Sequence, residues 1–189
     1  VISMLSVGRA LPPHVGTQEQ VLAALAAVWG DDARLLERVA LLQRNTGVRT
    51  RHLAMPVAAY TEPRTFGETN RLWLESALEL GQRALEDALA RAGLAASDVD
   101  LFLATTITGI ACPSLDARLM NRLPFRADCK RLPIFGLGCV AGAAGIARAA
   151  DYLRAFADGV AVLLSVELCS LTFAREDRSM AQMIASSAG

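Results

Sequence analysis

The segment Arg131-Leu-Pro-Ile-Phe-Gly-Leu-Gly-Cys-Val-Ala-Gly-Ala-Ala-Gly145 sets Cys139 between an apolar run that reads as a strand and the first turn of an alanine- and glycine-rich helix. A cysteine in that place can serve as a nucleophile. Unpaired backbone N–H groups and the positive end of the helix dipole stabilise a thiolate there. Gly138 permits a sharp backbone turn, and Gly142 and Gly145 let the helix pass close to a neighbour, so the thiol is expected on a crowded, rigid elbow. The expected geometry is Cys139 at the start of a buried helix, at the base of a pocket and outside any disulfide. On spacing alone the segment also suits a small cysteine packed into a Gly/Ala helix, because free cysteine is commonly buried.

The remaining chemistry-bearing residues narrow the field. Cys112, Cys129, Cys139 and Cys169 form no C-x-x-C pair, and neither His14 nor His52 stands at metal-ligand spacing, which argues against zinc and against a disulfide framework. No metal site is expected. The chain contains no G-x-S-x-G elbow, no G-x-G-x-x-G after a strand and no P-loop, so hydrolase and nucleotide-binding readings fail.

These residues need a scaffold, and the composition allows one. The 189 residues are 53% hydrophobic and 20% charged, enough to bury a sizeable core. Nineteen basic and nineteen acidic side chains cancel, leaving no net field to gather nucleic acid or anionic lipid. The apolar start, Val1 to Val7, is too short for a spanning helix and lacks a signal-peptide layout, so a cytoplasmic protein is expected with no membrane partner.

Along the chain, residues 1–66 read as irregular apart from helical stretches at Gln18 to Trp29 and Asp32 to Gln43. Asp31 or Asp32 is a candidate cap for the second. A loop carrying Arg44, Arg49 and Arg51 follows. Phe66 to Ala92 has the pattern of a long amphipathic helix closed by Gly93. Beyond it the pattern predicts strands at Val99 to Thr106, Pro133 to Leu137 and Val160 to Val166, with helices at Leu115 to Leu123 and Val140 to Phe156. Alternating helices and uninterrupted apolar strands imply a layered α/β fold.

Gly138-Cys-Val-Ala-Gly142 resembles the nucleophile motif of the type III polyketide synthases, the chalcone-synthase-like branch of the thiolase superfamily, in its bacterial form. Three further segments match in the same order: Asn45-Thr-Gly-Val-Arg-Thr-Arg-His52, Thr105-Thr-Ile-Thr-Gly-Ile-Ala-Cys-Pro-Ser114 and Ser165-Val-Glu-Leu-Cys-Ser-Leu-Thr-Phe173. The resemblance spans roughly Gly8 to Ala185. It implies a thiolase-like layered fold (αβαβα), with this chain supplying the N-terminal half as a mixed sheet covered by helices. It further implies that Cys139 takes an acyl group from acyl-CoA and passes it to the carbanion formed when malonyl-CoA loses carbon dioxide. No cofactor is implied beyond these CoA thioesters. Cavity-lining positions fall on Thr108, Cys112, Cys169 and Thr172, although core packing fits Cys112 and Cys169 equally well. These residues are small, as in the bacterial members that accept fatty acyl-CoA, so a long-chain starter and alkylpyrone or alkylresorcinol-type products are expected. Arg44, Arg49 and Arg51 match the CoA-entrance loop, where a guanidinium can hold phosphate; an ordinary solvated basic loop is the alternative for each. The Thr108 to Ser114 loop is expected at a homodimer interface.

The resemblance also divides the chain. Residues 1–66 form an N-terminal helical and irregular segment, and residues 67–189 the first thiolase-like half. The catalytic histidine and asparagine of the family belong to a second half absent from this chain. The family's Leu-Phe-Gly-Asp-Gly stretch would fall where Ser186-Ser-Ala-Gly189 stands, and neither His14 nor His52 matches the histidine motif. Two alternatives remain. One is a condensing enzyme like ketoacyl-carrier-protein synthase III, which extends an acyl group once on a carrier protein; the other is a catalytically silent fragment that only dimerises.

Overall fold

The structure, a computed structural model, describes residues 1–180, 182 and 183. The Ser186 to Gly189 ending lies outside the described residues. In chain order the elements are β1 (His14–Thr17), α1 (Gln18–Trp29), α2 (Ala33–Thr46), β2 (Thr50–Leu53), α3 (Phe66–Ala92), β3 (Leu101–Thr106), α4 (Leu115–Met120), β4 (Lys130–Phe135), α5 (Ala141–Ala155) and β5 (Ala161–Ser165). They fall into two compact units. One comprises 1–10 with 74–167, the other 11–73 with the described residues from 168 onward.

The first unit is built on a parallel sheet in the order β4-β3-β5. Leu101 to Thr105 of the central strand β3 are all buried, which explains the unbroken apolar run from Leu101 to Ala104. Adjacent residues of β5 point to opposite faces of the sheet. Leu164 meets α3 at Gly81, where an added Cβ would stand 3.2 Å from a Leu164 methyl carbon, and Leu119 of α4 approaches the same point. Leu163, on the other face, meets α5 at Gly145, where a Cβ would fall 2.6 Å from a Leu163 methyl carbon. Helices therefore cover both faces. The close approach expected at Gly145 is present. At Gly142 it is not, since among the described residues nothing lies within 4 Å of a Cβ there.

One carboxylate ties together the amino ends of the three strands. Asp100, just ahead of β3, accepts hydrogen bonds from Arg126 Nη2 at 2.6 Å and from the Val160 amide at 2.8 Å, while its own carbonyl accepts from the Lys130 amide. Arg126, then the Val160 amide, hold the Asp100 carboxyl below the usual aspartate range.

The second unit contains the antiparallel pair of β1 and β2, registered His14↔Leu53 to Thr17↔Thr50. Thr17 caps α1 in a reciprocal box with Gln20, and Asp32, not Asp31, caps α2 by accepting from the Leu35 amide at 2.9 Å. Gly47, at φ 69°, ends α2 in the left-handed conformation. The core joins Leu25, Trp29, Leu35, Val39 and Met183, with the Phe173 ring 5.3 Å from Trp29. The Trp29 indole N–H donates to the Arg175 carbonyl, and Arg178 reaches both oxygens of Asp31.

This unit corrects the irregular reading of residues 1–66, since β1, β2 and a 3-10 turn at Val57–Thr61 are ordered. Strands of four residues are too short to declare a period of two, and β1 contains a glycine. The expected arginine loop is correspondingly shorter. Arg44 lies in the last turn of α2, Arg49 in the connection and Arg51 within β2.

Because the folded state depresses the Asp100 carboxyl, the stability it contributes is present above the ordinary aspartate range and is lost as pH falls through the depressed value. Urea midpoints measured from about pH 5 down to about pH 2 should fall less steeply for Asp100→Asn than for the native chain. Parallel curves would show that the clamp does not hold in solution.

Candidate active site

Parallel strands in register bring their carboxyl ends side by side. Thr106 pairs with Phe135, and Thr105 pairs with Ser165, whose hydroxyl accepts from Thr105 Oγ1 at 3.0 Å. The loops leaving β3 and β4 therefore emerge at one edge of the sheet, the edge at which open parallel sheets carry their ligand sites. The first loop bears Thr108 and Cys112, and the second bears Cys139.

The path into Cys139 depends on two glycines. Gly136 has φ 89° and Gly138 φ 58°, a region where a side chain is strained. They turn the chain out of β4 into a 3-10 turn, Gly138–Val140, that runs directly into α5. Cys139 thus stands at the amino end of a 15-residue helix as a free thiol.

It is exposed, and its helix is only partly buried, with Ala141 and Gly145 as the buried residues. Val140 and Ile146 are 57% and 51% exposed. The buried helix and enclosing pocket expected from the sequence are not formed by the described residues of this unit, because the sheet covers α5 along one edge.

The Thr108 loop is held by groups that the motifs did not single out. Both carboxylate oxygens of Glu167 accept from the Ile107 amide, at 3.1 and 3.2 Å, and one also accepts from the Thr108 amide at 3.2 Å. Arg118 of α4 donates to the carbonyls of Pro113 and Cys112 at 2.8 and 3.3 Å. Thr108 is half-buried, whereas Cys112 and Ile110 are exposed. Glu167 was discoverable in one respect, as the lone charge at the end of the apolar Val160 to Leu168 run.

The other expected site residues belong to the second unit. Cys169 and Thr172 bound a 3-10 turn and are half-buried, with Thr172 Oγ1 donating to the Cys169 carbonyl at 2.8 Å. Arg44 and Arg49 are exposed. Arg51 is 1% exposed, and burial draws its guanidinium below the ordinary arginine value. It lines an apolar cavity of about 60 Å³ with Val21, Leu53, Tyr60, Ser170 and Phe173. A second cavity, of about 130 Å³, includes Tyr60, Arg64, Ser170, Phe173 and Arg175. Cys139 lines neither. His52 Nδ1 donates to the Pro12 carbonyl at 2.9 Å, a contact between neighbouring backbone segments. Among the described residues no cluster of histidine, cysteine, aspartate and glutamate is placed to hold a metal ion, and no helix is long and apolar enough to cross a membrane.

A parallel α/β sheet with a cysteine-bearing turn at its carboxyl edge is the thiolase-like plan. The family model for the N-terminal domain of chalcone and stilbene synthases matches residues 1–187, so the chain belongs to that family. It is 51% identical over 186 residues to a 1,3,6,8-tetrahydroxynaphthalene synthase of Streptomyces peucetius subsp. caesius, covering 97% of this chain and 48% of that protein. A putative chalcone synthase of Bacillus subtilis is 33% identical, with 97% and 52% covered. The crystal structure of 1,3,6,8-tetrahydroxynaphthalene synthase from Streptomyces coelicolor A3(2), a bacterial type III polyketide synthase, superposes with a TM-score of 0.84 at 32% identity, covering 96% of this chain and 53% of that one. The chain spans about half the length of the curated relatives it matches. The family resemblance and fold class read from the motifs are thereby borne out.

If Glu167 holds the Ile107 and Thr108 amides in solution, Glu167→Ala should speed their hydrogen exchange. Exposed hydrogen bonds of about 0.5–1.5 kcal/mol correspond to roughly two- to tenfold. Unchanged exchange at both amides in a folded variant would remove Glu167 from the site.

Proposed function

We propose that this chain is the acyl-loading half of a type III polyketide synthase and that Cys139 is its nucleophile. The observation that carries the reading is a free, accessible thiol on a left-handed glycine turn, at the amino end of α5 and the carboxyl edge of a parallel sheet. The Cys139 thiolate attacks the carbonyl of an acyl-CoA, the carbonyl–sulfur bond to CoA breaks, and CoA leaves as its thiolate, which takes a proton from water. Malonyl-CoA loses carbon dioxide, the electron pair passes to the thioester enolate, and the enolate carbon attacks the acyl group. A carbon–carbon bond forms as the cysteine sulfur leaves. The histidine and asparagine that assist in this family would come from outside the chain described here.

Arg44 and Arg49, exposed near the end of α2, are the candidates for CoA phosphate, while Arg51, buried in β2, has no outward guanidinium to offer. Thr108 and Cys112 of the first unit, and Cys169 and Thr172 of the second, are proposed as substrate-binding residues. The reaction suits the cytoplasm, where CoA thioesters are available. A homodimer through the Thr108 to Ser114 loop would cover Ile110, which is 56% exposed.

Similarity to the tetrahydroxynaphthalene synthases favours malonyl-CoA as both starter and extender, since malonyl units alone can supply a naphthalene skeleton. The small side chains at the four substrate-binding positions favour a second reading, a long-chain fatty acyl starter giving alkylpyrones or alkylresorcinols. Supplying the complete protein with malonyl-CoA, alone and with long-chain acyl-CoA, and identifying products by mass spectrometry separates the two. No condensation product from either mixture would overturn both.

Cys169→Phe tests the cavity wall. A ring added to close-packed surroundings either blocks the chain or costs strain of about 1–3 kcal/mol. The variant should melt within a few degrees of the native protein, keep priming by short acyl groups and lose long-chain priming. Undiminished long-chain use by a well-folded variant would make Cys169 core packing only.

A further inference from the structure

The cavity reading of Cys169 and Thr172 raises the question of what fixes the turn that carries them. Ser170 lies between them, and its Oγ accepts from the Tyr60 hydroxyl at 2.8 Å and from the Ala54 amide at 3.5 Å. The Tyr60 oxygen in turn accepts from the Met55 amide at 3.2 Å. Burial raises the Tyr60 phenol above its ordinary value, so it stays a proton donor at neutral pH.

Tyr60 itself sits on the 3-10 turn Val57–Thr61, which is anchored on its far side. Arg175 donates to the Thr61 carbonyl at 2.9 Å, and Arg64 donates to the Ala59 carbonyl. The bridge also has a place among the cavities, because Tyr60, Ser170 and Phe173 line both of them. Tyr60 and Ser170 therefore form part of the wall shared by two spaces.

From this geometry we infer that Tyr60 is a positioning residue: through Ser170 its hydroxyl fixes the Cys169–Thr172 turn and so sets which acyl chains the enzyme selects. This rests on the proposed assignment of Cys169 and Thr172 to the substrate cavity. A 3-10 turn of four residues moves as a unit, since Thr172 Oγ1 is tied to the Cys169 carbonyl and the Leu171 amide to the Leu168 carbonyl. Loss of the hydroxyl leaves the Ser170 oxygen and the Met55 amide to find new partners, and the turn shifts with them.

The test uses Tyr60→Phe, Ser170→Ala and the double variant in the complete protein, with three readouts. Alkylation of Cys169 by N-ethylmaleimide, followed by peptide mapping, reports the turn without requiring activity. Malonyl-CoA decarboxylation reports the chemistry, and the ratio of products from short and long acyl-CoA reports selection. Each single variant should speed Cys169 alkylation and shift the product ratio by roughly two- to tenfold, with decarboxylation little changed. The double variant should fall short of the sum of the two single ones, because both break the Tyr60–Ser170 link, while each also frees one amide, Met55 or Ala54. Unchanged Cys169 alkylation and product ratio in folded variants would overturn the inference, as would additive effects in the double variant. Should Tyr60→Phe fail to fold, Ser170→Ala decides alone. A native protein that makes no condensation product would instead contradict the proposed function, and the inference with it, even if alkylation responds.

Discussion

The register of three parallel strands is the constraint on which the first unit depends. Leu101 of β3 pairs with Lys130 and with Ala161, so the strands begin level and end level. Asp100 fixes the level start through Arg126 and Val160, and the level finish delivers the Thr108 loop and the Cys139 turn to one edge. A slip of one residue in β4 would turn its side chains to the other face and carry the Gly136 to Gly138 turn with it. The chemistry proposed for Cys139 is therefore an outcome of backbone pairing before it is a property of any side chain.

The edge is further tuned by groups that touch backbone only. Glu167 and Arg118 hold opposite ends of the Thr108 to Pro113 segment, one by accepting from amides and the other by donating to carbonyls. Such contacts keep the Thr108 to Pro113 loop in place through its backbone. In the second unit the Cys169–Thr172 turn is instead held by a side-chain bridge, from Tyr60 to Ser170.

Much of this was legible in the sequence where the signal is local. The boundaries of α1 and α3 agree with the amphipathic pattern, and the glycines ahead of Cys139 announced a turn into a helix. What stayed hidden depends on partners distant in sequence. β1 and β2 exist because residues thirty or more apart pair, and Arg51 reads as part of a basic loop until β2 turns it inward. Glu167 and Tyr60 belong to no motif, and their roles follow from contacts made across 60 and 110 positions of chain. The expected burial of Cys139 failed for the same reason: a strand-glycine-cysteine-helix pattern specifies the turn but not what covers it.

The central claim is that Cys139 alone among the four cysteines carries the acyl group. Mixing the complete protein with acyl-CoA in the absence of malonyl-CoA, quenching in acid and mapping the thioester by peptide mass spectrometry tests it directly. The account predicts one acyl group per chain on the peptide containing Cys139, and none in Cys139→Ala. An acyl group on Cys112 or Cys169 instead, or an unmodified Cys139 in protein that still forms condensation products, would contradict it.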